Sequence, residues 1–308
     1  MSEPKIFSDS FVAFNVQCDV VLPGMDADQA KQILQKIKNE TSRIELAVSR
    51  SEAVSEIGQV NALPKNEWIE VSDEFWEILT ISSEFYTMSN GAFDVTYAPL
   101  FDGWKSEATL TADQITKLKA ACGFDKLEID AENQRFRFLA DDMQLDFGAL
   151  EKAYALEILK DLFRQEGISN AIISMAEESV LAQGHHPQGE AWPMGVRNLN
   201  QPHEFVHVFS AIDQVVCTTG TEYIDMETGE RKPRKLLSPE TGEIVKGRKA
   251  VSVKATSALM ATFISYVWLI LPESDKSIIA DQLKGIEIME CEYLADDVKT
   301  KHTLIEEP

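Results

Sequence analysis

The chain has 308 residues, of which 44% are hydrophobic, 26% charged and 8% aromatic, a globular balance with length for one large domain or two small ones. Its 51 acidic residues outnumber 29 basic ones, giving a net charge of −22, which repels phosphate backbones and anionic lipid heads and so argues against nucleic acid and membrane as partners. Cys18, Cys122, Cys217 and Cys291 form no CxxC pair, which argues against a zinc site and fits free thiols in a reducing compartment.

The opening residues, MSEPKIFSDS, lack the basic-then-apolar order of a signal peptide, and no apolar run of about 18 residues occurs; the expectation is a cytoplasmic protein. Residues 11–22 alternate, with Val12, Phe14, Val16, Cys18, Val20 and Leu22 on one face, which predicts a single half-buried strand ended by Pro23-Gly24. Asp26 or Asp28 then caps a helix whose apolar face is Ala30, Ile33, Leu34, Ile37, Ile44 and Val48. Residues 49–68 read as a polar loop. Ser72 opens a helix carrying Phe75, Ile78, Leu79, Phe85 and Tyr86, which Asn90-Gly91 stops.

A short helix is predicted over 111–121, paired strands over 126–130 and 134–139, and a long helix over 150–166 closed by Gly167. AIISM at 171–175 is a buried strand, followed by strands near 179–183, 193–197, 205–210 and 250–255. An apolar helix spans 257–271 up to Pro272; a helix at 275–284 and strands near 286–293 complete the chain. Long helices mixed with hairpins predict an α+β layer fold with mixed or antiparallel sheets, not a doubly wound one. Neither standard Gly-rich phosphate loop is present.

Five segments hold residues suited to chemistry. Asn90 to Thr96 places Asp94 at a helix end, as a turn residue or as an acceptor for a ligand's amide or hydroxyls. Asp146 precedes a helix whose first turn carries Lys152, an anion site or a helix-start pair with a solvated lysine. Thr218-Thr219-Gly220 offers two hydroxyls, or an ordinary turn. Leu237 precedes Ser238-Pro239-Glu240-Thr241-Gly242, locally a β-turn. Thr262, Ser265 and Tyr266 share one face of the apolar helix, where buried hydroxyls need partners. The histidines are scattered, with His185-His186 in a loop and His203, His207 and His302 elsewhere.

The order of these segments is more specific than any one of them. NGAFDVTYAPL, LDFGALEKAYALE, a GxxPxGxxW loop from Gly184 to Trp192, TTG, SPETG and the last Ala/Thr-rich helix, with SEIGQVN at 55–61 before them, together resemble the ApbE family from about residue 10 to 290. The resemblance implies one α+β domain of the T-fold kind over residues 1–308. It implies an FAD:protein FMN transferase, which moves FMN from FAD onto a Thr or Ser hydroxyl of an acceptor flavoprotein with Mg²⁺ and releases AMP.

By position, Ala92, Phe93, Asp94, Asp146, Lys152 and Leu237 are the expected FAD contacts, and Ala149, Thr262 and Tyr266 the expected metal positions; no catalytic residue is assigned. Several positions depart from the family. Thr262 and Tyr266 replace the metal-binding Asp and Thr, although Mg²⁺ prefers carboxylate oxygen. Phe14-Asn15-Val16 replaces Met-Gly-Thr, Ser51 an aromatic, Ala176-Glu177 a double glycine and Lys235 a His. Lys235 beside Lys152, or a carboxylate from Glu177 or Glu178, would compensate. A second reading is a member that binds flavin, nucleotide or a protein partner without catalysis.

Overall fold

The computed structural model describes residues 5–50, 54–107, 109–225, 228–295 and 297–306. Its main sheet is built from β1 (Ile6–Ala13), β2 (Val16–Pro23), β6 (Ala171–Met175), β7 (Ser179–Gln183), β10 (Gln214–Gly220), β13 (Lys249–Ala255), β14 (Ile286–Tyr293) and β15 (Val298–Ile305), paired in that spatial order. Every neighbouring pair is antiparallel. Beside it lie a three-stranded sheet of β3 (Ile69–Glu70), β5 (Arg135–Phe138) and β4 (Leu127–Asp130), and hairpins of β8 (Trp192–Arg197) with β9 (Phe205–Ala211) and β11 (Glu222–Ile224) with β12 (Arg231–Pro233).

The helices are α1 (Ala27–Val48), α2 (Glu56–Ala62), α3 (Asp73–Met88), α4 (Ala98–Ser106), α5 (Ala112–Lys119), α6 (Glu151–Gln165), α7 (Ala258–Ile270) and α8 (Glu273–Ala280). Helices α1, α6 and α7 join one core with the inward residues of β2, β6 and β13. Its aromatic centre is Phe263 stacked on Phe85 at 4.3 Å, with Phe93 edge-on to both. A second core joins Trp192, Met194 and Phe209 of the β8–β9 hairpin to Ala182, Met289 and Cys291 of the sheet.

The caps follow the sequence. Asp26 accepts from the N–H groups of Asp28 and Gln29, Ser72 from Phe75, and Ser257 from Met260. Other expectations fail for identifiable reasons. The single strand at 11–22 is a hairpin, because Phe14 and Asn15 both take left-handed conformations, at φ 53° and 57°, and make a two-residue turn. The turn sends Val12 to solvent, 77% exposed, while Phe14, Cys18, Val20 and Leu22 stay buried. The loop at 49–68 contains α2, capped by Ser55, and Ile57 and Val60 on it are buried. Residues 98–106 are helical, Thr218 to Gly220 lie within β10 rather than in a turn, and β15 follows the expected last strand.

Candidate functional site

Between α6, α7 and the C-terminal half of β10 lies a cavity of about 410 Å³, within the usual size of ligand pockets. It is lined by Phe93, Asp94, Asp146, Ala149, Lys152, Leu237, Thr262 and Tyr266 from the sequence candidates, with Thr218, Thr219 and Ser265 beside them. Chain segments as far apart as residues 93 and 266 thus meet in one place. Ala92 does not line the cavity; it faces an adjoining groove with Asn90, Gly91 and Pro239. Ser51 lies outside the described residues.

Asp94 is held by the protein itself. Its Oδ1 accepts from the Thr96 amide at 2.8 Å and hydroxyl at 2.7 Å, and its Oδ2 from the Phe124 amide at 3.1 Å. Burial pushes its carboxyl up to about 6, against those hydrogen bonds. The carboxylate braces the 93–97 turn at the cavity edge.

Asp146 sits in an extended segment before α6. Its amide donates to the Val95 carbonyl at 2.8 Å, and Asn61 of α2 both donates to and accepts from the backbone of Leu145 at 2.8 Å. Its Oδ1 accepts from Gly148 at 2.8 Å, and Arg50 approaches its Oδ2 at 3.4 Å. Arg50 also pairs with Asp102 and donates to Gln144. Sequence reading missed Arg50 and Asn61. Nothing local marks Arg50, while Asn61 closed the SEIGQVN segment and carried that signal.

Lys152 lies in the first turn of α6, lines the cavity, and has no hydrogen bond or ion pair among the described residues. The other cavity cations are engaged. Arg234 pairs with Glu178, and Lys235 donates to the Trp104 carbonyl. Glu177 points away to Arg197. Thr218 shares a hydrogen bond with Ser252 at 2.8 Å, and Thr219 with Ser265 at 2.7 Å. The SPETG turn borders the adjoining groove and is tied to the cavity's edge: the Tyr97 hydroxyl donates to the Pro239 carbonyl at 3.0 Å and the Trp104 indole to the Gly242 carbonyl at 2.8 Å.

The ApbE family model matches residues 13–289. The chain belongs to the ApbE family. It is 22% identical over 290 residues to the FAD:protein FMN transferase of Escherichia coli (strain K12), covering 91% of this chain and 82% of that one. It is 25% identical over 218 residues to the FAD:protein FMN transferase of Chlamydia muridarum, covering 70% and 66%. Among solved structures, the flavin transferase ApbE from Vibrio cholerae superposes with a TM-score of 0.83 at 16% identity, over 97% of each chain. The apo flavinyl transferase ApbE of Pseudomonas stutzeri does so with a TM-score of 0.83 at 20% identity, over 98% and 96%. The fold is therefore the α+β fold of the ApbE flavin transferases.

The residues at the expected metal positions do not fit Mg²⁺. Thr262 offers a neutral hydroxyl, buried and without a hydrogen-bond partner, and the Tyr266 hydroxyl donates to the Leu237 carbonyl at 3.3 Å. Burial pushes the Tyr266 phenol well above its ordinary range, away from a phenolate ligand. Among the described residues, no cluster of three or more His, Cys, Asp or Glu able to share an ion lies in this cavity. A hard, strongly hydrated cation finds no carboxylate at those two positions.

Proposed function

We propose that residues 1–308 act as one FAD:protein FMN transferase domain that takes FAD into this cavity. The observation that carries the reading is Lys152: an unpartnered ammonium in the first turn of α6, aimed into a cavity that also carries Thr218, Thr219 and Ser265. A helix start with a free lysine and hydroxyls is an anion site, and the FAD pyrophosphate is the anion of matching chemistry. Phe93, Leu237 and Tyr266 supply apolar surface for the isoalloxazine.

Transfer makes one bond and breaks one. An acceptor Thr or Ser oxygen bonds to the FMN phosphorus, the pyrophosphate bond on the AMP side breaks, AMP leaves with the bonding electrons and the hydroxyl proton passes to solvent. Lys152 neutralises charge on the phosphates, Asp146 is positioned by Arg50 and Asn61, and Asp94 holds the 93–97 wall. The acceptor is a flavoprotein met in the cytoplasm; four free, buried cysteines support that compartment. No helix among the described residues is long and apolar enough to cross a membrane.

The missing metal carboxylate favours a second reading, in which FAD binds and no transfer follows. Incubation with FAD and a flavoprotein acceptor carrying a free Thr or Ser hydroxyl, followed by chromatography for AMP and flavin, separates the two. AMP released in step with FAD loss supports the transferase, and stoichiometric FAD binding with no AMP, in Mg²⁺ or EDTA, supports binding alone. No FAD binding overturns both.

A further inference from the structure

His207, Glu287 and His302 are far apart in sequence and converge on the face of the main sheet that the β8–β9 hairpin covers. Glu287 on β14 lies diagonal to His302 on β15, since Glu287 pairs with Leu304 and Met289 with His302. Glu287 also lies directly opposite Lys254 of β13. The β9 strand brings His207 down onto the same point, with its ring edge-on to Phe209 at 4.4 Å.

The three ligand atoms lie within 4.8 Å of one another. His302 Nε2 is 2.8 Å from Glu287 Oε1, and His207 Nε2 is 3.5 Å from the same oxygen. That second separation is too long for a good hydrogen bond. His207 Nε2 is buried and has no hydrogen-bond partner, an arrangement that needs a reason in a folded protein. Tetrahedral Zn²⁺ with N and O ligands places neighbouring ligand atoms roughly 3.3 Å apart, between the two observed separations. Lys254 pairs with the other carboxylate oxygen, Oε2, leaving Oε1 as a single ligand with an outer-shell partner. The Lys254 ammonium weakens the site electrostatically without occupying it.

We propose that His207, His302 and Glu287 form a second site, separate from the flavin cavity, for a borderline divalent cation of the Zn²⁺ class. Two imidazoles and one carboxylate suit Zn²⁺ or Co²⁺ and discriminate against Mg²⁺ and Ca²⁺. The bound ion ties the β8–β9 hairpin to the β14–β15 edge of the sheet, and the exposed side of His302 leaves the fourth position to solvent.

The test uses the full chain, freed of metal by chelation and titrated with Co²⁺. The expected result is one equivalent bound with the intense visible absorption of tetrahedral Co²⁺, displaced by Zn²⁺. His207→Ala and His302→Ala should each weaken binding about tenfold or more. His302 is exposed, so His302→Ala keeps the fold and decides the matter even where His207→Ala does not fold. Zn²⁺ should also raise the Tm of the wild type and leave that of His302→Ala unmoved. Absence of the tetrahedral band overturns the site. So does a band unchanged in His302→Ala and lost in a His185→Ala, His186→Ala double variant, which would place the ion in the 184–192 loop.

Discussion

Replacing Lys152 with Met keeps most of the apolar stem of the side chain and removes the ammonium, both its charge and its donors. Lys152 has no hydrogen bond or ion pair with the described residues, so folding stability should change by less than about 1 kcal/mol. FAD affinity should change far more. A hydrogen bond to a charged group is worth about 1.5 to 3 kcal/mol, which at 1.4 kcal/mol per decade is about 10- to 150-fold in Kd. The cavity shelters the contact from salt better than a surface pair would be sheltered, so most of the loss should persist at physiological ionic strength. The assay is a flavin anisotropy titration of wild type and Lys152→Met in the same buffer, with Lys31→Met, an exposed lysine of α1, as the control for net charge. Affinity within twofold of wild type, or a loss no larger than in the control, would show that the phosphates do not sit at α6.

Three further outcomes test the fold and its electrostatics. Burial pushes the Glu151 carboxyl up to about 7 from 4.5, against Lys152 and a hydrogen bond from Ser49. A raised carboxyl stabilises the fold while protonated, so its contribution is whole below about pH 4.5 and lost by about pH 7, roughly 3 kcal/mol in all. Urea unfolding across that range should show wild-type stability falling relative to Glu151→Gln; parallel curves would refute it. Phe263→Ala removes the ring stacked on Phe85 and should lower unfolding free energy by about 3–5 kcal/mol; a loss under 1 kcal/mol would mean the core closes over the gap. Gly184 has φ +58° and a Cβ there would meet the Ser169 carbonyl oxygen at 1.9 Å, so Gly184→Ala should destabilise by more than about 2 kcal/mol in the same assay, and a neutral result would contradict the turn geometry.

The long amphipathic helices were legible because burial follows period: Ile33, Leu34, Ile37 and Ile44 on α1 and Leu156, Leu159 and Phe163 on α6 face the core as the spacing requires. The first strand was misread because alternation continues through a two-residue turn, and Phe14 gives no hint of a left-handed conformation that Phe rarely adopts. Helix α2 was hidden because seven residues with two buried ones carry too little periodicity. At the site, Asp146, Lys152 and Thr262 were marked by segment order, and folding brings them to one cavity. Ala92 lies one step outside, its amide donating to the Ser89 carbonyl at the end of α3 beside the adjoining groove. Arg50 and the His207–Glu287–His302 group were invisible, since each depends on tertiary neighbours from distant strands and loops.

The account holds that a lysine at the start of α6 carries the charge of the FAD phosphates where the family's metal carboxylate is absent. The most direct test is the FAD affinity of the unmodified protein, measured with Mg²⁺ and again with EDTA. Equal Kd values within about twofold are predicted. Binding that appears only with Mg²⁺ would contradict the account and show that Thr262 and Tyr266 hold the ion after all.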